Sequence, residues 1–362
     1  MLNWRDKSGG QYGGAEIISN EIASSLAAAG HDVTLFTSQT AGRSSHETSG
    51  KINIIRKGSV NTVYLFAFMH MLANRRGYDA VVESVNTVPF FSALLFRQSR
   101  VFILVHHIMG KRLFAATNPA KAAIAAVAEA MIPAIYSKSN FIVLSEFVRF
   151  QLESIGVARR RIHIVRIQHA RIDGKREQKA KIPTVITVGR LVRQKRVGII
   201  IRTIGVLAKK RGINAKLIIV GSGTERKKLE ELVLHLGLEK NIIFTGFLEE
   251  GTKIRELKRA WVFATASLIE GLGLSAIEAE LCSLPVVGFA NGGLSESVKN
   301  GYSGFLVKEG NEKDYAGRLA LLLSNKKTRE RMGNNARKHS LMLQNSDMQK
   351  LIRLIEGASG RK

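Results

Sequence analysis

The 362-residue sequence contains one cysteine, Cys282, and only 29 acidic residues against 55 lysines and arginines. A single thiol builds neither a disulfide framework nor a thiolate metal centre, which fits a reducing cytosol. Long apolar runs are missing too. Hydrophobic residues make up 45% of the chain, yet no run approaches the roughly 18–20 apolar residues that a membrane-crossing helix needs. The opening MLNWRDKSGG is not a signal peptide. These absences lead to the expectation of a soluble cytoplasmic protein, and the length favours two domains.

The shortage of acid leaves a formal net charge of +26. Such an excess calls for an anionic partner: nucleic acid, an acidic membrane surface or a phosphorylated substrate. It is uneven, with 16 basic and five acidic residues between Thr87 and Lys181. Nucleic acid is not the expected partner. No RRM, KH, zinc-finger or helix-turn-helix pattern is present, and the basic residues are not interleaved with stacking aromatics.

What is there is an alternation of short β-branched runs with helical stretches, the mark of a parallel α/β architecture. In the first half the strand candidates are VTLFTS (33–38), INIIRKG (52–58), DAVVESVN (79–86), VFILVHH (101–107) and FIVLS (141–145), with helix-like pieces at 15–29, 60–75 and 120–136. The polar, basic stretch ARIDGKREQKAKIPT (170–184) breaks the pattern and reads as a linker. The alternation then restarts with TVITVGR (184–190), AKLIIVGSG (215–223), NIIFTGF (241–247), VFATAS (262–267) and PVVGFA (285–290). Val197, Ile200, Ile201, Ile204 and Leu207 share one face of the helix that follows Lys195. The expected division is an N-terminal Rossmann-like domain over 1–172, a linker over 173–183, a second Rossmann-like domain over 184–340, and a C-terminal helix over 341–362 that packs back toward the first. Two such halves would face each other across a cleft. A first strand should precede the glycine turn at Gly9–Gly14, and only MLN is available. Either that strand is very short or the natural start lies upstream.

The segment SLIEGLGLSAIEAELCSLPVV (267–287) sets Glu270 and Glu278 on either side of one glycine turn. Ser275-Ala-Ile-Glu278 reads as a capping box, in which the serine caps a helix and the glutamate returns to the cap. That accounts for Glu278 but not for Glu270, which precedes the glycines on a loop. Gly271 and Gly273 allow a turn whose free N–H groups meet an anion at the helix start. In VGRLVRQKR, Arg190 ends a strand and Lys195 opens the next helix. Two fixed cations there can hold an anionic group at the helix start. The VGSG turn fails the dinucleotide spacing, because position 226 is arginine. Gly13 and Gly14 open a helix that can approach a phosphate or sugar closely. His106 and His107 stand at a strand end, where a cleft residue belongs, and His106 is the choice because it ends the strand. The apolar stripes at 61–76 and 120–136 lie next to basic residues, a pattern shared by core-facing helices and by helices that lie on membranes.

These pieces together resemble the GT-B-fold glycosyltransferases of family 4, retaining enzymes that use nucleotide-activated sugars. The resemblance covers nearly the whole chain and is strongest over Val188–Val307, through VGRLVRQKR, LIIVGSGTERKKLEEL, NIIFTGFL, EGLGLSAIEAELCSLPVV and NGGLSESVKNGYSGFLV. It implies a hexosyl transferase that needs neither metal nor cofactor besides its nucleotide-sugar donor. By the family's E-x7-E pattern Glu270 would contact the donor sugar and Glu278 the ribose, with Gly271, Leu272, Gly273 and Leu274 between them. Arg190 and Lys195 would hold the diphosphate, the turn at Gly221 would lie near the base, and His106 near the donor sugar. The family usually has an aromatic at Leu272. Family members act on glycan or lipid-linked acceptors, which with the charge leads to an expectation of contact with the inner face of the cell membrane. The alternative reading is a catalytically silent GT-B scaffold that binds nucleic acid or another anion. A phosphorylase-like enzyme would need a lysine-bound pyridoxal phosphate that nothing in the sequence suggests.

Overall fold

The computed structural model describes residues 1–7, 12–86, 88–167, 172–173, 177–344 and 346–359. The chain forms two compact units, one from Met1–His169 with Asn345–Lys362, the other from Ala170–Gln344.

In the first unit helix α1 (Gly14–Ala28) leads to strands β1 (Val33–Thr37), β2 (His46–Ser49) and β3 (Ile52–Arg56), then helix α2 (Val63–Asn74) and strands β4 (Val81–Val85) and β5 (Val101–Val105). Helices α3 (Leu113–Ala116) and α4 (Pro119–Ile135), strand β6 (Asn140–Val143), helix α5 (Glu146–Ser154) and strand β7 (Ile162–Ile164) follow. The strands pair in the orders β1-β3-β2 and β4-β5-β6-β7, parallel throughout except for β2. Leu2 makes parallel bridges to both Phe36 and Glu83 and joins the two sets. Leu2 therefore stands where that first strand is expected. The fully buried β5 is an unbroken apolar run, as a central parallel strand requires.

The second unit is built from β8 (Thr184–Val188), α6 (Val197–Arg211), β9 (Lys216–Val220), α7 (Arg226–Leu236), β10 (Ile242–Gly246), α8 (Glu250–Arg259) and β11 (Val262–Ala264). It continues through α9 (Leu274–Leu281), β12 (Val286–Phe289), α10 (Leu294–Ser297), β13 (Gly304–Val307), α11 (Glu312–Ser324) and α12 (Lys326–Leu343). Its sheet has the order β10-β9-β8-β11-β12-β13, all parallel. That is the doubly wound Rossmann order. The apolar face expected on the helix after Lys195 is buried, with Ile200, Ile201, Ile204 and Leu207 inaccessible.

Within the stretch read as a linker, residues 170–171 and 174–176 lie outside the described residues, as do residues 9–11 of the glycine turn. The described linker residues are tied to the second unit. Ala180 N donates to Arg259 O at 2.9 Å, Trp261 Nε1 donates to Ala180 O at 2.9 Å, and Lys258 pairs with Asp173. Helix α13 (Met348–Ser359) belongs to the first unit, where Asp347 N donates to Arg166 O at 2.8 Å and His31 Nε2 lies 3.1 Å from Glu356 Oε1.

Candidate active site

In the second unit the strand order reverses between β8 and β11. Ligands of open α/β sheets sit at that reversal, outside the carboxyl ends of the strands. An open recess lies there, walled by Gly189, Arg190 and Leu191 after β8, by Lys195, and by Thr265, Ser267 and Glu270 after β11. The turn after β8 is fixed by the turn after β9. Gly189 N donates to Val220 O at 3.0 Å and Leu191 N to Ser222 O at 2.8 Å. Gly221, at φ +129°, lies so close that a Cβ would stand 2.0 Å from the Gly189 carbonyl oxygen. Only glycine fits. The VGSG turn thus buttresses the backbone that carries Arg190, and Gly221 itself does not line the pocket.

Lys195 ends a 3₁₀ turn (Arg193–Lys195), and its Nζ lies 2.6 Å from Glu270 Oε1. Their side chains are 22% and 14% exposed, so the pair sits in a recess where charges act more strongly than on an open surface. One backbone contact ties the two loops, Leu268 N donating to Gln194 O at 2.8 Å, and the Glu270 carbonyl accepts from Gly293 N, in the loop after β12, at 2.8 Å. Arg190, Lys195 and Glu270 are therefore brought together, two cations and a carboxylate at one strand-end recess. Such an arrangement suits a diphosphate joined to a hydroxyl-bearing group.

Helix α9 corrects the capping-box reading. Gly273, left-handed at φ +79°, takes the N-cap, no side chain caps the helix, and Ser275 lies inside the first turn. A glycine cap supplies the positive φ that a serine would adopt only with strain. Glu278 is released from capping and is almost fully buried. It accepts from Lys253 Nζ at 3.0 Å, and Lys253 also donates to Glu250 Oε2 at 3.1 Å. Burial pulls the Lys253 ammonium down, but the two carboxylates outweigh it and hold it above the ordinary lysine range. Leu272 packs toward Ile277 and Leu281, its carbonyl accepts from the Ser297 hydroxyl, and Leu274 begins α9. Gly271 continues the loop from Glu270. None of 271–274, nor Glu278, walls the pocket. The Cys282 thiol at the end of α9 is pushed up to about 12, chiefly by burial, which leaves it without thiolate reactivity.

Lys253 was not singled out from the sequence. Its segment EGTKIRELKR shows Glu250 and Lys253 three apart, the spacing of a solvated helix-surface pair. The partner that changes its meaning, Glu278, is 25 residues away.

In the first unit His106 follows the end of β5, and its Nε2 lies 2.9 Å from Ser84 Oγ. Burial, with a smaller contribution from His107, lowers its pKa to about 3. It is neutral through the physiological range and can act there only as a hydrogen-bonding group. Gly13 and Gly14 open α1 as expected. The Gly13 N–H is already engaged by Glu16 Oε2 at 2.8 Å, so one donor at that helix start is satisfied internally.

Two family models match this chain, Glycosyltransferase Family 4 over residues 12–166 and Glycosyl transferases group 1 over residues 169–339. The chain belongs to the group 1 glycosyltransferases and has the GT-B fold. It is 36% identical over 154 residues to an uncharacterized glycosyltransferase of Methanocaldococcus jannaschii, a match covering 42% of this chain and 39% of that protein. It is 31% identical over 152 residues to the capsular polysaccharide biosynthesis glycosyltransferase CapM of Staphylococcus aureus, covering 42% and 39%. The matches thus span about two fifths of the length of these relatives. Among solved structures, sucrose-phosphate synthase from Thermosynechococcus elongatus superposes with a TM-score of 0.76 at 22% identity, covering 98% of this chain and 94% of that one. HepE of Anabaena, in complex with UDP and glucose, gives 0.70 at 18% identity, covering 98% and 97%.

Proposed function

We propose that the protein is a retaining, metal-independent glycosyltransferase that moves a hexosyl group from a nucleoside-diphosphate sugar to a hydroxyl of a glycan or lipid-linked acceptor. The observation that carries this reading is the Lys195–Glu270 pair at the switch point, with Arg190 in the same pocket. Arg190 and Lys195 take the diphosphate and stabilise the charge that develops on it as the sugar leaves. Fixed cations in a recess supply that stabilisation without a divalent ion. Glu270 accepts hydroxyls of the donor sugar, and Glu278, held by Lys253, accepts those of the ribose. His106 is assigned to the donor sugar as a neutral hydrogen-bonding group. The complex of HepE with UDP and glucose supports a sugar nucleotide as donor, and the name of CapM supports a polysaccharide acceptor.

Thermal-shift screening against UDP-, GDP-, ADP- and TDP-sugars tests the donor site. A ligand at 100 times its Kd adds about 2.7 kcal/mol to the state that binds it. Turnover of the best donor should survive EDTA, and the product anomeric proton should show the donor's configuration. No shift with any member of the panel, or an inverted product, would overturn the proposal.

The first unit supports a second element, docking on an anionic membrane. Among the described residues no helix is long and apolar enough to cross a membrane. Helix α4, however, leaves several large apolar side chains exposed, although Ile132 on the same helix is buried. Ala122, Ala125 and Ala128 are buried, while Ile124, Val127 and Met131 are 67%, 61% and 44% exposed. Leu65, Met69 and Leu72 are likewise exposed on α2. Apolar side chains left in water beside an excess of basic ones fit a surface that lies on acidic lipid. The protein should sediment with vesicles containing acidic lipid, bind neutral vesicles weakly, and be released by salt, since the Debye length falls from ~10 Å at 0.1 M to ~3 Å at 1 M. Reversing three of Arg159, Arg160, Arg161 and Arg166 to glutamate should weaken binding and leave donor affinity unchanged, each basic residue being worth about 1 kcal/mol at such a surface. Binding that ignores lipid charge and salt would defeat the electrostatic part, and tighter binding to RNA would revive the nucleic-acid reading.

A further inference from the structure

The residue after Lys195 is held in a conformation that its side chain disfavours. Arg196 is left-handed, at φ +47° and ψ +38°, where it serves as the N-cap of α6 without a side-chain cap bond. Glycine adopts that conformation freely, whereas a long side chain is strained in it. Strained residues persist where the surrounding structure over-determines them, and the contacts of Arg196 show what does so. Its Nε donates to the Ala266 carbonyl at 2.7 Å, one terminal nitrogen donates to the Ser267 carbonyl at 3.2 Å, and the other lies 2.8 Å from Glu309 Oε1. The guanidinium carbon stands 5.3 Å from the centre of the Phe289 ring.

These partners follow three different strands. Ala266 and Ser267 follow β11, Phe289 ends β12, and Glu309 follows β13. The planar guanidinium fork thus reaches from the loop after β8, which carries Arg190 and Lys195, to the loop after β11, which carries Glu270. Ser267 O also accepts from Asn291 Nδ2 at 3.2 Å, and the neighbouring Leu268 N–H is bonded to Gln194 O. Lysine has no fork with which to hold two successive carbonyls and a carboxylate. A glycine would relieve the backbone and lose all three bonds.

We infer that Arg196 is a positioning residue that fixes the loop of Glu270 against the loop of Lys195, and so sets the spacing between the two charged groups of the pocket. Its effect on transfer rests on the reading of that pocket as a sugar-nucleotide site. Its effect on the loops does not.

The test compares wild type with Arg196→Gly and Arg196→Lys. In the protein without nucleotide, amide exchange resolved by residue should speed up at Leu268 and Gly293 in Arg196→Gly, stay unchanged along β8 and β9, and recover in part in Arg196→Lys. Where Arg196→Gly does not fold, Arg196→Lys alone should show a smaller acceleration at the same two amides. With UDP-, GDP-, ADP- and TDP-glucose as donors, kcat in Arg196→Gly should drop toward the order of 10²-fold, the scale of a displacement of about 1 Å at a reacting centre, with KM for the donor little changed. In a Lys195→Ala background the same change should cost far less, because the group being positioned is gone. Unchanged exchange at Leu268 and Gly293 would overturn the inference outright, as would a loss that appears wholly as a raised KM. Faster exchange in a protein whose wild type neither binds nor turns over any of the four donors would uphold the positioning role and overturn the functional reading instead.

Discussion

Sugar transfer by Lys195→Ala should fall by on the order of 10²-fold or more, the usual consequence of removing one preorganised group that stabilises developing charge. Two effects act together. The pocket loses one of the two cations that would face the diphosphate, and Glu270 loses the ammonium 2.6 Å from its Oε1. Arg190→Ala should show a loss of similar order, since it removes the other cation from the same wall. Initial rates with a saturating donor, and again at low donor concentration, separate the terms. A loss confined to KM would mean that the cation serves ground-state binding, whereas an equal loss in kcat and kcat/KM would mean that it acts in the transition state. The combined variant should lose less than the product of the single losses, because groups that act on one leaving group are not independent. Near-normal rates in both single variants would displace the phosphates from this pocket.

The parts of this site that were legible in the sequence are those whose signal is local. Arg190 and Lys195 lie between an apolar strand and an apolar-faced helix, in the turn that joins β8 to α6, and the structure puts both in one recess. The buried face of α6 was plain from its spacing, and ten strand candidates coincide with strands to within a few residues. What escaped depends on distance along the chain or on backbone angle. Strand β2 is exposed along its whole length, so it carries no alternation of polar and apolar residues to betray it. The Ser275–Glu278 pattern satisfied the capping-box template, yet the turn is closed by the left-handed Gly273 and the glutamate is claimed by a lysine from α8. A template of four residues cannot register a competitor 25 positions away. Arg196 stands within VGRLVRQKR with no local signal of its own, because its importance is visible only in its φ and in the three strand ends that it reaches.

Lys253→Met should destabilise the second unit by about 3–5 kcal/mol, the cost of removing one member of a buried ion pair. Lys253 and Glu278 are 9% and 4% exposed, so the surviving carboxylate would stay shielded from water while losing its cation. Methionine keeps most of the lysine stem volume, which confines the change to charge and hydrogen bonds. Glu250 is much more exposed, at 55% of its side chain, and its own loss of Lys253 should add little. The pH dependence has a definite sign. Lys253 has its pKa raised in the fold, so its contribution is complete below the ordinary lysine value of 10.5 and is lost only as pH climbs through the raised one. The part of the deficit that comes from Lys253's own ionisation should therefore not change between pH 6 and pH 8. Adding Glu278→Gln should return much of the lost stability, because a neutral amide tolerates the site without a cation where a carboxylate does not. The two changes are then coupled, and a double-mutant cycle on denaturant midpoints reads the coupling directly. The double variant should still bind a sugar nucleotide less well than wild type, since it restores the fold but not the charged acceptor assigned to the ribose hydroxyls. Additive single and double effects would show that the pair contributes nothing as a pair, and would leave Glu278 held in place by packing alone.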